Sequence, residues 1–204
     1  MATSDYPEYV RIKGKEYKIN SDFRVAIKCN EIAMNKNIND VERALAIIYL
    51  LFGKEGLDDE ENYDLLLKSA LIFLSCGEDK QKSKNSKPDM DYVEDKKYIK
   101  SSFKYDYHYD PYSMEYLHWY DFFNDLNNLS NDEFGTCCIL NRIRNLRNRN
   151  PKEVKDPKER QALIDAQKEV ALKRFQNEKI ATNKQKESAI NLLKQLGIKK
   201  EEIK

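Results

Sequence analysis

The segment EYLHWYDFFNDLNNLS, residues 115–130, decides the fold, because it holds the chain's only Trp, one of its two His and four further aromatic residues. Tyr116, Trp119, Tyr120, Phe123 and Leu126 follow an i, i+3, i+4, i+7, i+10 spacing, and Ser113 stands before them as a helix N-cap. The spacing predicts an amphipathic helix over 114–128 whose aromatic stripe is core, with acids and amides toward solvent. Tyr116, Tyr120 and Phe122 do not share one narrow face, so some aromatic area is left over, and surplus aromatic surface marks a protein-binding site.

Outward from this segment the same grammar recurs. SNDEFGTCCILNRIRNL predicts a second helix capped at Ser130, with Phe134, Cys138, Ile139, Ile143 and Leu146 on one side, joined to the first by a tight turn. Leu117, Trp119, Phe123, Leu126, Phe134 and Ile143 are the expected core of this pair. On the N-terminal side, DYVEDKKYIKSSFKYDY places Tyr92, Tyr98, Ile99 and Phe103 at helical spacing until Pro111 interrupts. GEDKQKSKNSKPDMD, 77–91, lacks large apolar residues until Met90, and 77–90 reads as a mobile linker or loop.

Residues 1–76 open with YVRIKGKEYKIN, a hairpin pattern around Gly14 in which Val10 and Ile12 share one face and Tyr17 and Ile19 another. Three helices follow: one capped by Ser21 or Asp22, one capped by Asn39 or Asp40 and stopped by Gly53, and one with acids in its first turn and Gly77 at its end. The last two are apolar most of the way round and need covering on several sides. From 147 to 204 the charge balance changes: residues 1–90 carry −2, 91–146 carry −4 and 147–204 carry +7. Solvated helices are expected near 158–178 and 184–196. The architecture is therefore mainly α: a compact helical domain formed by 1–76 and 91–146, with a short N-terminal β-hairpin and a helical, basic C-terminal tail.

The chemistry that these residue types offer is thin. His118 and Asp121, three apart, can be drawn as a general base and its orienting carboxylate, with Asp125 nearby, yet neither a nucleophile nor a Gly-rich turn accompanies them, so a polar face explains them better. Asp106, His108 and Asp110 lack the Gly and closing Glu of a calcium loop. Cys29, Cys76, Cys137 and Cys138 contain no C-x-x-C pair and read as reduced core residues. No catalytic residue, metal or cofactor is expected. The longest apolar run, ALAIIYLLF at 44–52, is less than half a bilayer span, and the Met1 region has no basic, apolar leader, so a cytosolic address without membrane association follows. Four Arg in RIRNLRNRN, among them Arg142, Arg144 and Arg147, are candidate partner contacts. Missing aromatics there and interspersed acids after Pro151 argue against nucleic acid.

From Asp89 on, the D-M-D-Y opening, I-K-S-S-F, the L-H-W-Y motif at 117–120, L-N-N-L, E-F and I-R resemble a bacteriophage tail-module family of Gram-positive phages and prophages, encoded near the tape-measure gene. Tyr92, Ile99, Phe103, Asp110, Leu117, His118, Trp119, Phe123, Leu126, Phe134, Ile143 and Arg144 carry the match, and D-F-R at 22–24 resembles the family's start. Tyr120 stands where that family usually has a second Trp. The resemblance implies a non-enzymatic tail assembly chaperone in the cytoplasm of the infected or lysogenic host, binding the tape-measure protein and recruiting tail-tube subunits, with homo-oligomers open. The alternatives are a structural tail component or, with less support, a nucleic-acid-binding phage protein. An apolar groove among helices 41–52, 61–75 and 114–128 is the expected client surface. Tyr116, Tyr120 and Phe122, with the three arginines, are its expected contacts.

Overall fold

The computed structural model describes residues 6–77, 88–131 and 137–173. Phe134, most of the 77–90 linker, and the tail beyond 173 with its expected 184–196 helix lie outside these. The chain divides into two compact units, residues 1–87 with 96–140, and residues 88–95 with 141–204. The architecture is mainly α with a short antiparallel hairpin at its start, as the hydrophobic periodicity predicts.

In the first unit β1 (Tyr9–Ile12) pairs with β2 (Lys15–Lys18). The two residues between them have positive φ, Lys13 at 49° and Gly14 at 87°, the backbone of a two-residue turn whose twist matches the strands. Val10 sits opposite Tyr17, so the register puts Val10, Ile12 and Tyr17 on one face, where the sequence reading had split them between two. Ile12 and Tyr17 are buried; Arg11 and Glu16 pair on the other face. The Tyr17 hydroxyl donates to Asp59, and that bond, with Asn62 and then Lys15, holds the Asp59 carboxyl below its usual range.

Helix α1 (Phe23–Met34) starts at Asp22, whose carboxylate accepts from the Arg24 amide at 2.8 Å. Helix α2 (Asp40–Leu57) starts with a reciprocal capping box: Asn39 accepts from the Glu42 amide and Glu42 from the Asn39 amide, both at 2.9 Å. Gly53 does not stop α2 but kinks it, at φ 66°, ψ −159°, a region open essentially to glycine alone. The acids Glu60 and Glu61 form a 3₁₀ turn, and α3 (Tyr63–Leu74) begins after it. Its left-handed C-terminal residue is Cys76, at φ 54°, ahead of Gly77; the Gly77 amide returns to the Ile72 carbonyl at 3.0 Å and the Cys76 amide to Phe73 at 3.0 Å.

Helix α4 (Lys96–Asp106) excludes Tyr92, which lies in the preceding turn and in the other unit. A 3₁₀ turn at Pro111–Ser113 is capped by Asp110, and Ser113 caps nothing. Helix α5 (Trp119–Asn127) is therefore five residues shorter at its start than the aromatic spacing predicts, and its N-cap is His118. The reason is long-range. Asp22 and His118 form an antiparallel bridge in which the Phe23 amide donates to the Leu117 carbonyl at 3.0 Å and the Trp119 amide to the Ser21 carbonyl at 2.7 Å. That bridge holds His118 in extended backbone, at φ −62° and ψ 141°, so α1 and α5 start side by side.

The second unit holds most of α6 (Ile139–Asn148), which starts at Ile139 rather than near Ser130, and α7 (Pro157–Val170), capped by Asp156 with Pro157 in its first turn. The Ser130 amide and hydroxyl both donate to Asp106, at 2.7 and 2.9 Å, so Ser130 holds the end of α4.

Candidate functional site

The centre of the first unit is an aromatic stack. Phe122 is 0% exposed and lies against Phe23 at 4.4 Å, Phe103 at 5.4 Å and Trp119 at 5.9 Å, ring centre to ring centre. The sequence reading gave Phe122 to a partner and Phe123 to the core. The later helix start turns that round, burying Trp119, Phe122 and Leu126 and leaving Phe123 half-buried. Leu117 is buried as expected, and the Trp119 indole donates to the Leu74 carbonyl at 3.2 Å. A fully buried Phe122 has no surface for a client.

His118 is buried beside this stack. Its Nδ1 accepts from the Tyr120 amide at 3.1 Å, and its ring stacks on Tyr6 at 4.9 Å and meets Phe73 edge-on at 6.0 Å. Burial holds its pKa below the ordinary 6.5, against Asp121, the Pro7 carbonyl and Glu8, which pull it up. The lone pair a general base needs is spent on the cap. Tyr120 is half-buried with its ring on Phe73 at 5.3 Å. Asp125 accepts from Tyr109, and its carbonyl from Tyr107 at 2.8 Å. Asp110 caps Tyr112; burial pushes its carboxyl up, but Lys100 at 2.7 Å, the Tyr112 amide and Lys104 bring it below the usual range. The buried Cys29 thiol is pushed up to about 12 by desolvation and is inert. Among the described residues no three His, Cys, Asp or Glu side chains gather as a metal site, and no helix is long and apolar enough to cross a membrane.

What reaches solvent is elsewhere. Tyr116 is 52% exposed, its hydroxyl 2.7 Å from the Ser21 Oγ, on the wall of an open cleft of about 780 Å³ lined also by Lys18–Ser21, Tyr49 and the kinked stretch Leu50–Lys54. Helix α3 turns Leu66, Ala70 and Phe73 inward and leaves Leu65, Leu71 and Ile72 outside, 41%, 52% and 52% exposed. Of the three segments of the expected groove, 41–52 and 114–128 contribute Tyr49–Phe52 and Tyr116 to that cleft, while 61–75 lines none of it. The expectation that α3 is covered on several sides gives way to a helix packed by one side.

The arginines fall in the second unit. Arg142 is exposed. Arg147 holds Asp95 with two bonds of 2.7 Å and also donates to the Val170 carbonyl at 2.7 Å and the Asp89 carbonyl at 2.8 Å. Arg144 reaches Asp89 at 3.2 Å. These two guanidinium groups tie residues 88–95 to α6, and Arg147 ties in the end of α7, so the expectation that they contact a partner gives way to an internal role. Ile143 is only half-buried.

The sequence pattern of a family described as Bacteriophage Gp15 protein matches residues 3–172. No curated protein and no solved structure matches the chain.

Proposed function

The chain belongs to the bacteriophage Gp15 protein family, and from that premise we propose a structural or assembly-related phage role, more specifically that of a non-enzymatic tail assembly chaperone. In this reading it binds the apolar stripe of the tape-measure protein in the host cytoplasm and brings tail-tube subunits to it. The observation that carries the reading is the outward face of α3, where Leu65, Leu71 and Ile72 stand in solvent on a helix otherwise packed by its opposite side. Leu65 and Ile72 are spaced i, i+7, the two-turn separation of anchors in helix-in-groove recognition, with Leu71 beside Ile72. The residues that chemistry might have claimed are engaged in caps and internal hydrogen bonds instead, His118 above all.

Co-expression with a tape-measure fragment tests it. The fragment is expected to stay soluble and to co-purify with this protein, and the protein is expected to be missing from finished particles. A fragment no more soluble with the protein than without it overturns the proposal. Presence of the chain in finished particles at fixed stoichiometry replaces it with a structural tail component.

A further inference from the structure

Phe73, His118 and Tyr120 form a floor of three rings in the first unit, each centred within 6.0 Å of the other two. The ring that covers this floor comes from the N-terminal arm. Tyr6 stacks on His118 at 4.9 Å and 22° and leans on Tyr120 at 5.3 Å and 58°. Its hydroxyl is hydrogen-bonded to Asp121, which together with burial raises the phenol pKa above its ordinary value, and the Asn124 amide donates to it at 3.5 Å. Asp121 and Asn124 stand one turn apart on α5, so a single helix face receives the hydroxyl. The Pro7 carbonyl, next along the chain, acts on the imidazole. Two consecutive residues thus present a ring face, a hydroxyl and a carbonyl, and α5 or its cap meets each of them.

The seat does not depend on the arm. His118 is fixed by the Tyr120 amide and by its bridge to Asp22, and Phe73 is buried within α3. The arm is held more lightly. The ladder of the hairpin reaches Glu8, whose carbonyl accepts from the Ile19 amide at 2.8 Å, and Pro7 has no N–H to carry it further. Pro7 and Glu8 are exposed, and Tyr6 itself is half-buried. We infer that this recess is a binding site for a tyrosine–proline step of an extended peptide, and that Tyr6–Pro7 is a built-in plug that fills it in cis. The plug shows what the seat accepts: a phenol laid on an imidazole, its hydroxyl on a carboxylate, and a proline that keeps the chain extended behind it. Tethered at Glu8, the arm occupies its seat at an effective concentration on the order of millimolar, so a segment from outside enters when the arm is displaced. This inference does not rest on the assembly reading.

The probe is a labelled synthetic peptide of residues 1–8, MATSDYPE, added to the full-length wild type and to full-length Tyr6→Ala. By fluorescence anisotropy it is expected to bind Tyr6→Ala about ten-fold tighter than the wild type, whose own arm competes. Phe in place of Tyr in the peptide is expected to weaken binding to Tyr6→Ala by about five-fold, through the lost bond to Asp121. Adding Asp121→Ala to Tyr6→Ala is expected to erase that difference between the two peptides. His118 gives a second reading, because the chain has only two His and their imidazole proton resonances are readily told apart. The His118 resonance is expected to move when the Tyr6 ring is removed and to return as the peptide saturates the variant. Equal binding to wild type and Tyr6→Ala, equal binding of a peptide with Ala in place of Tyr, or a His118 resonance that the peptide does not restore each overturns the inference. So does a wild-type dimer that Tyr6→Ala dissolves, since the arm would then fill the seat of a second copy and not its own.

Discussion

At the residue scale, two aromatic side chains six positions apart have opposite fates, and the difference is measurable. Phe122 fills the space between Phe23, Phe103 and Trp119, so Phe122→Ala empties a close-packed site and should cost about 3–5 kcal/mol. Tyr116→Ala gives up one half-exposed hydrogen bond to Ser21 and should cost about 1 kcal/mol. Urea midpoints compare the two directly; equal losses would place Tyr116 in the core. His118 adds a pH dependence. Its pKa is lowered in the folded chain, so between that value and 6.5 the unfolded chain binds more protons, and stability falls as the pH drops through about 6.5. Asp59 and Asp110, whose pKa values are also lowered, lose their contributions only below the carboxylate range, near 3.8, and leave this window to the imidazole. His118→Asn keeps an N-cap acceptor, so the melting temperature of the variant should change less between pH 7.5 and about 5.5 than that of the wild type. Parallel curves for the two proteins would show that His118 is indifferent to its own protonation.

At the element scale, what the sequence revealed and what it hid separate by range. The hairpin turn, the caps at Asp22 and Asn39 and the existence of seven helices among the described residues follow from signals within a few positions of each other. The start of α5 does not. Tyr116 continues the aromatic spacing as well as any residue, but the Asp22–His118 bridge, formed with a segment nearly a hundred positions away, outbids one further turn of helix and moves the buried ring from Phe123 to Phe122. The candidate site was legible only in part for the same reason. Spacing alone has α3 covered on several sides, whereas it packs by one side, and the choice of Leu65, Leu71 and Ile72 as the uncovered residues depends on which side meets α2. Gly53 is a further case: a glycine after an apolar run reads as a stop, yet the helix resumes beyond it. A Cβ at that position would meet nothing within 4 Å, so Gly53→Ala is a pure test of the backbone. The φ and ψ there should make it cost about 1–3 kcal/mol by chemical denaturation, and an unchanged midpoint would mean that α2 straightens without penalty.

At the scale of the whole molecule, the +7 balance after residue 146 and the arginines just before it read as basic in the sequence, but the fold gives part of that charge to acidic neighbours. Asp89 and Asp95 come from a stretch more than fifty positions upstream, and within the second unit Asp89 pairs with Arg144, ahead of that tail, and Asp95 with Arg147, its first residue. Such pairing weakens the attraction for phosphate that four closely spaced arginines suggest. It also gives the second unit a point of failure of its own. Asp95 is 1% exposed, and Arg147→Ala would leave its carboxylate buried without the guanidinium, a loss of about 3–5 kcal/mol. Because the chain's only Trp, Trp119, lies in the first unit, its fluorescence reports that unit alone. Arg147→Ala should therefore speed proteolytic cleavage within 88–95 and around α7 while the Trp119 unfolding midpoint moves little. A fluorescence midpoint that falls by the full cost of the lost ion pair would show that the second unit does not unfold independently of Trp119's surroundings.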